Sequence, residues 1–226
     1  MQAPLGGQHR IAAGLLAIAL LVGLTTAGHA ASVGNADAIH EHPQQAVGGE
    51  PMEASADVRR TLAQYLIPNV TLIRDDGQQI NLPAELDDGR PVVLNFIHTS
   101  CTTICPMSSQ TFALFQHDLG SAHEPVHLVS ISIDPEQDTP ARLRAYAAQF
   151  RAQRGWDHYS GDLTSILAVQ KAFNAYFGDK MSHTPLTLVR AAPGKPWVRF
   201  DGFARVNDLL GERKAWIAPA AIVAAK

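Results

Sequence analysis

The sequence predicts an α/β sandwich: one central sheet of mixed pairing, with a β-hairpin on its N-terminal side. Three observations carry that prediction. Two short apolar runs, VVLNFI (92–97) and VHLVSISI (126–133), alternate with segments of helical character, which is the order of parallel strands joined by crossover helices. Two later runs, 186–189 and 197–201, flank the turn Ala192-Pro193-Gly194-Lys195 and read as an antiparallel pair. Asp76-Gly77 lies between two alternating segments, 70–74 and 79–82, the signature of a tight hairpin. With 226 residues, 46% hydrophobic, there is ample material for one core.

Taken in order, residues 1–30 read as a signal peptide or an N-terminal membrane anchor. His9 and Arg10 precede an apolar run from Ile11 to Ala27, and Gly28-His29-Ala30 supplies the small residues a signal peptidase reads. The run is close to the minimum for a span, so both readings stand, and either places the chain in the periplasm or on the periplasm-facing inner membrane. No cysteine follows the run, which leaves no lipid-modified cysteine there. Residues 31–61 lack any aromatic residue and read as a flexible linker. His40 and His42 lie in it, and a solvated tract explains them better than a metal-catching arm. Asp57 to Tyr65 reads as a short helix. The folded domain spans 62–216, and 217–226 is a tail.

Within the domain the hairpin comes first, then the strand 92–97. A helix is expected from Pro106 to Leu119, ending at Gly120, because proline suits a first helical turn. The strand 126–133 follows, then a helix opened by Thr139-Pro140 and running to about Gln153. Trp156–Ser160 is a short strand. Asp162 caps a helix reaching Phe177. The antiparallel pair and a last helix over 203–214 close the domain. The net charge of −3 gives no footprint for nucleic acid.

The chemistry centres on the only two cysteines, in Thr99-Ser100-Cys101-Thr102-Thr103-Ile104-Cys105-Pro106. A disulfide across so short a loop constrains the unfolded chain little, so a structural staple explains the pair poorly. A position between a strand and a helix N-terminus stabilises thiolate, the form that attacks disulfides and binds metal. Two thiolates favour soft Cu(I); structural zinc takes four donors and would need several histidines. A third copper ligand has to come from a histidine: His98, His117, His123, His127, His158 or His183. His117 and His123 read as solvated. His127 and His158 sit in strand patterns. His98 follows the strand alternation and is expected to point away. His183 precedes the strand 186–189, where an α/β sheet brings its loop to the carboxyl edge that carries the cysteines.

These motifs resemble the Sco/SenC/PrrC family. The resemblance rests on Val93-Leu94-Asn95-Phe96, then Cys101-x-x-x-Cys105-Pro106, then Ser132-Ile133-Asp134-Pro135-Glu136-Gln137-Asp138-Thr139-Pro140, then Ala172-Phe173 and His183. It covers roughly 66–212. It implies a thioredoxin-like sandwich and copper bound by Cys101, Cys105 and His183. It also implies delivery to the copper-receiving subunit of a respiratory terminal oxidase, from a membrane-tethered or periplasmic position, with a copper donor or a periplasmic thiol reductant as further partners. The alternative is a thiol–disulfide oxidoreductase in which Cys101 attacks and Cys105 resolves. A peroxidase ranks last, because Thr99 has no arginine near it in the loop. The sequence departs from the family in Ser182-His183-Thr184-Pro185, which lacks the acid commonly placed before the histidine. Asp134 and Asp138 are read as turn and capping residues.

Overall fold

The structure is a computed structural model that describes residues 58–120 and 125–217. The leader, most of the linker with His40 and His42, His123 and residues 218–226 lie outside the described residues. Among the described residues no helix is long and apolar enough to cross a membrane.

Eight strands form one sheet. They are β1 (Arg59–Ala63), β2 (Thr71–Arg74), β3 (Gln79–Asn81), β4 (Val92–Ile97), β5 (His127–Ser132), β6 (Trp156–Ser160), β7 (Leu186–Arg190) and β8 (Trp197–Asp201), in the spatial order β1-β8-β7-β4-β5-β6-β2-β3. β4, β5 and β6 are parallel, while β7 runs antiparallel to β4 and β8 to β7. Among the described residues five α-helices accompany the sheet: α1 (Leu82–Leu86), α2 (Ile104–Leu119), α3 (Pro140–Gln149), α4 (Leu163–Ala172) and α5 (Val206–Ile217). A mixed sheet with parallel crossovers and a closing antiparallel pair is the architecture the sequence predicts.

The strands at the centre alternate their burden. On β4, Val92, Leu94 and Phe96 join Ile166, Val169 and Phe173 of the α4 side in one apolar layer. Val93 joins Phe112 and Phe115 of α2 and Leu209 of α5 in the other layer. A strand buried on both faces reads as a continuous apolar run, and all six residues of β4 are buried.

Three local expectations are corrected. Residues 59–63 form a strand and not a helix, because Arg59–Ala63 pairs antiparallel with Asp201–Trp197; pairing with the far end of the chain overrides local propensity. β1 thereby takes in Arg59, Arg60 and Thr61, which composition places with the linker. The hairpin forms as expected, with Gly77 at φ 91°, but Leu82 leaves it. Asn81 accepts the Ala84 N–H as a cap, and Pro83 stands in the first turn of α1. Both long helices of the middle domain end early: α3 gives way to Arg151 at φ 53° and α4 to Asn174 at φ 52°, a backbone conformation that stops a helix.

Candidate metal and thiol site

The carboxyl edge of the parallel strands positions the site. β4 ends at Ile97 and α2 begins at Ile104, two residues before the expected Pro106. The shift matters chemically. Cys105 now sits in the first turn, where backbone N–H groups have no helical partner, and its N–H donates to the Cys101 sulfur at 3.3 Å. Pro106 remains unpenalised, because the third helical position would also lack a partner.

The two sulfurs differ in environment. Cys105 is buried among Ile97, Leu143 and Tyr146, whereas Cys101 is half-buried. Burial opposes ionisation of Cys101, but N–H and side-chain bonds from Cys105 and Thr103 outweigh it and hold the thiol below its ordinary value. Burial pushes the Cys105 thiol well above its ordinary value, against the His98 backbone N–H that it accepts, and the Cys101 charge pushes the same way. Cys101 is therefore the readily ionised sulfur and Cys105 the protonated one.

Asp138 shapes the loop. Its buried carboxylate accepts the Thr99 N–H at 3.0 Å, the Thr99 hydroxyl at 2.5 Å and the Ser132 hydroxyl at 2.6 Å. The Ser132 Oγ in turn accepts the Asp134 N–H at 3.0 Å, and Asp134 holds Lys180 at 2.6 Å. Asp134 and Asp138 thus tie the cysteine loop to the segment before β7, through a one-turn 3-10 helix at Lys180–Ser182. This exceeds the turn-and-cap role expected of them.

His183 reaches the same edge. β7 is antiparallel to β4, so the residues before it lie at the carboxyl end of β4. Its Nε2 lies 3.1 Å from the Phe96 carbonyl, while its Nδ1 is buried with no partner. A carbonyl only accepts, so Nε2 carries the proton and Nδ1 keeps its lone pair. Such a backbone bond orients metal-binding imidazoles, so the bond to Phe96 fills the role of the absent acid. Burial lowers the His183 pKa, with the Phe96 bond opposing and His98 adding to the fall; the ring is neutral, the form that binds metal.

The other histidines fall elsewhere. His98 does not point away: its ligand atom and both cysteine sulfurs all lie within 4.8 Å of one another. His183 is outside that cluster of three. The alternation rule fails for His98 because β4 ends one residue earlier. His117 is exposed beside Asp118, His127 lies at the opposite edge of the sheet with Asp157, and His158 stacks on Trp156 inside the core. The sequence carries a signal for His98 only in its place one residue past a strand end, on the cysteine loop.

The donor set suits a soft cation. It offers two sulfurs, an orphaned imidazole nitrogen on His183 and a second imidazole on His98.

The family model described as SCO1/SenC matches residues 59–212. A SCO1 protein homolog of Bacillus subtilis is 32% identical over 98 residues, 43% of this chain and 50% of that protein. The chain thus spans about half the length of that curated relative. Among solved structures, BsSco, described as having a disulfide switch and as a member of the Sco family of cytochrome c oxidase assembly proteins, is 26% identical with a TM-score of 0.59, covering 69% of this chain and 95% of that one. ScoI of Arabidopsis thaliana, solved with copper bound, is 25% identical with a TM-score of 0.54, covering 65% of this chain and 94% of that one. The fold is the thioredoxin-like fold of these structures.

Proposed function

The chain belongs to the SCO1/SenC family, and from that premise we propose that it carries copper in the exported compartment and delivers it to the copper-receiving subunit of a terminal oxidase. Cys101 and Cys105 hold the ion as thiolates and His183 as a neutral imidazole through Nδ1. The observation that carries this reading is the orphaned Nδ1 of a buried histidine, fixed by its Phe96 bond at the edge that presents both sulfurs. A buried nitrogen without a partner is unfavourable unless a ligand completes it. Copper is cargo here. It leaves by ligand exchange, and the half-buried Cys101 is the donor an incoming thiolate displaces first. The copper-bound Arabidopsis relative supports the metal, and the oxidase-assembly role attributed to the Sco family supports the recipient.

The unequal sulfurs support a second reading, thiol–disulfide exchange on the same recipient. The Cys101 thiolate attacks a disulfide sulfur of the recipient and releases one recipient thiolate. Cys105, losing its proton to solvent, displaces the second. The recipient gains two electrons and the chain is left with a Cys101–Cys105 disulfide, which a periplasmic thiol must reduce.

A complementation experiment separates the two. In cells lacking the protein, the copper content of the oxidase falls and is restored by the wild type. If His183→Ala fails to restore it although thiol exchange by the purified variant is intact, copper delivery is the function. If His183→Ala restores it fully, delivery that depends on His183 is wrong.

A further inference from the structure

We propose that His98 is a copper ligand of this chain, giving the site a second imidazole beside His183. The inference rests on the copper reading and extends it from three donors to four.

The geometry starts with the cluster itself. His98, Cys101 and Cys105 place one ligand atom each within 4.8 Å of the other two. An ion bound about 2.3 Å from sulfur and about 2.0 Å from nitrogen in a trigonal array sets its donors roughly 3.7–4.0 Å apart. The three ligand atoms, all within 4.8 Å of one another, lie close to that spacing. His98 is buried, and its Nδ1 lies 3.0 Å from the Ser100 hydroxyl. That bond orients the ring from within the cysteine loop and leaves Nε2 for the ion. The backbone carbonyl of the same residue accepts the Cys101 N–H at 3.1 Å, so His98 is tied to the cysteine loop through both its backbone and its side chain.

His183 belongs to a different segment. It is held by Phe96 and by the turn before β7, and it lies outside the cluster of three. The site therefore has one imidazole on the cysteine loop and one on the segment before β7, both at the same sheet edge. Two thiolates and either imidazole satisfy Cu(I), and two thiolates with both imidazoles make a four-donor set. During ligand exchange the ion retains three donors whichever histidine is released.

The test is Cu(I) titration against a chromophoric chelator, with copper-edge X-ray absorption to identify scatterers, on the full chain. The variants are His98→Phe, His183→Ala, their combination and Cys101→Ser. Each single histidine variant is expected to bind one Cu(I) with less than a tenfold loss, and the combination to lose at least a further hundredfold. Copper in His183→Ala should still show a nitrogen shell; this reading leaves His98 unaltered and so does not depend on the folding of His98→Phe. The proposal is overturned if copper in His183→Ala is bound by sulfur alone, or if His98→Phe changes affinity in neither background. Unchanged affinity in Cys101→Ser would instead refute the copper reading itself.

Discussion

Among the described residues, two places bring ligand atoms of three metal-type side chains within 4.8 Å of one another. One is His98, Cys101 and Cys105 at the carboxyl edge of the parallel strands; the other is Glu85, His127 and Asp157 at the amino edge. At the amino edge the donors bond one another, although His127 Nδ1, like His183 Nδ1, is buried without a hydrogen-bond partner. His127 Nε2 sits 3.0 Å from Asp157 and 3.1 Å from the Tyr159 hydroxyl, which itself donates to Glu85 at 2.8 Å. Burial raises the Asp157 carboxyl, but the His127 bond outweighs it and holds the group below its usual range, with Arg74 and Arg90 assisting. That cluster clamps β5, β6 and α1 together. At the carboxyl edge the sulfurs take only backbone N–H groups and weak hydroxyl contacts, and His183 Nδ1 has no partner. Proximity of donor types is thus common to a structural clamp and a binding site; what separates them is that the amino-edge carboxylates, Tyr159 and His127 Nε2 bond one another, whereas the carboxyl edge presents two soft sulfurs.

The comparison is tested most strongly at Asp138. Asp138→Ala removes three hydrogen bonds from a buried carboxylate and leaves the Thr99 N–H and the Thr99 and Ser132 hydroxyl protons without that acceptor. A loss of about 3–4 kcal/mol in stability is expected, together with weaker copper binding, because the cysteine loop is no longer held. Denaturant unfolding and metal titration read the two effects. Unchanged copper affinity in a destabilised protein would show that the loop organises itself.

Acid gives the next effect, through a third kind of buried histidine. His158 has no hydrogen-bond partner on either ring nitrogen, with the Asp75 carboxylate 3.8 Å from Nδ1, and burial pushes its pKa down to about 4 against the pull of Asp157. Above about pH 6.5 the ring is neutral in both folded and unfolded chains. As pH falls from there towards 4, the unfolded chain takes up a proton that the fold excludes, so stability falls, by roughly 3 kcal/mol in total. His158→Phe should flatten that part of the stability profile. A profile as steep in the variant as in the wild type would assign the loss to other groups.

His127→Ala sharpens the contrast directly. It breaks the amino-edge clamp and leaves Tyr159 and Asp157 short of a partner, costing about 2 kcal/mol, or a melting temperature lower by roughly 4–8 °C for a domain of this size. Copper affinity should not move. A drop in affinity without a drop in stability would make the amino edge a metal site after all. The smallest effect is expected at Lys180, whose ion pair with Asp134 is half-exposed on the lysine side. Lys180→Ala should leave the denaturant midpoint nearly unchanged; a shift as large as that of Asp138→Ala would mean that the 3-10 turn carries the loop.

The sequence made the central βαβ order, the hairpin and the cysteine loop legible because each is written in local signals: alternation, Asp-Gly, a Thr-Pro cap. It misled where the deciding contact is remote. Arg59–Ala63 carries no strand pattern and becomes a strand by pairing with β8. The early ends of α3 and α4 depend on single residues, Arg151 and Asn174, entering left-handed backbone. At the proposed site, the cysteine loop between strand and helix and the placement of His183 at the same sheet edge were legible from motif and edge position. His98 was not, since one residue past a strand end the alternation that assigns faces has stopped. The roles of Asp138 and of the Phe96 carbonyl depend on partners 39 and 87 residues away.

The central claim is that copper is held by the carboxyl-edge sulfurs. Cu(I) titration of the reduced protein under a competing chelator tests it directly, comparing wild type, Cys105→Ser and His127→Ala. The account predicts one tightly bound Cu(I) in the wild type and in His127→Ala, and a loss of affinity of about a thousandfold, close to 4 kcal/mol, in Cys105→Ser. Equal affinity in wild type and Cys105→Ser would contradict it.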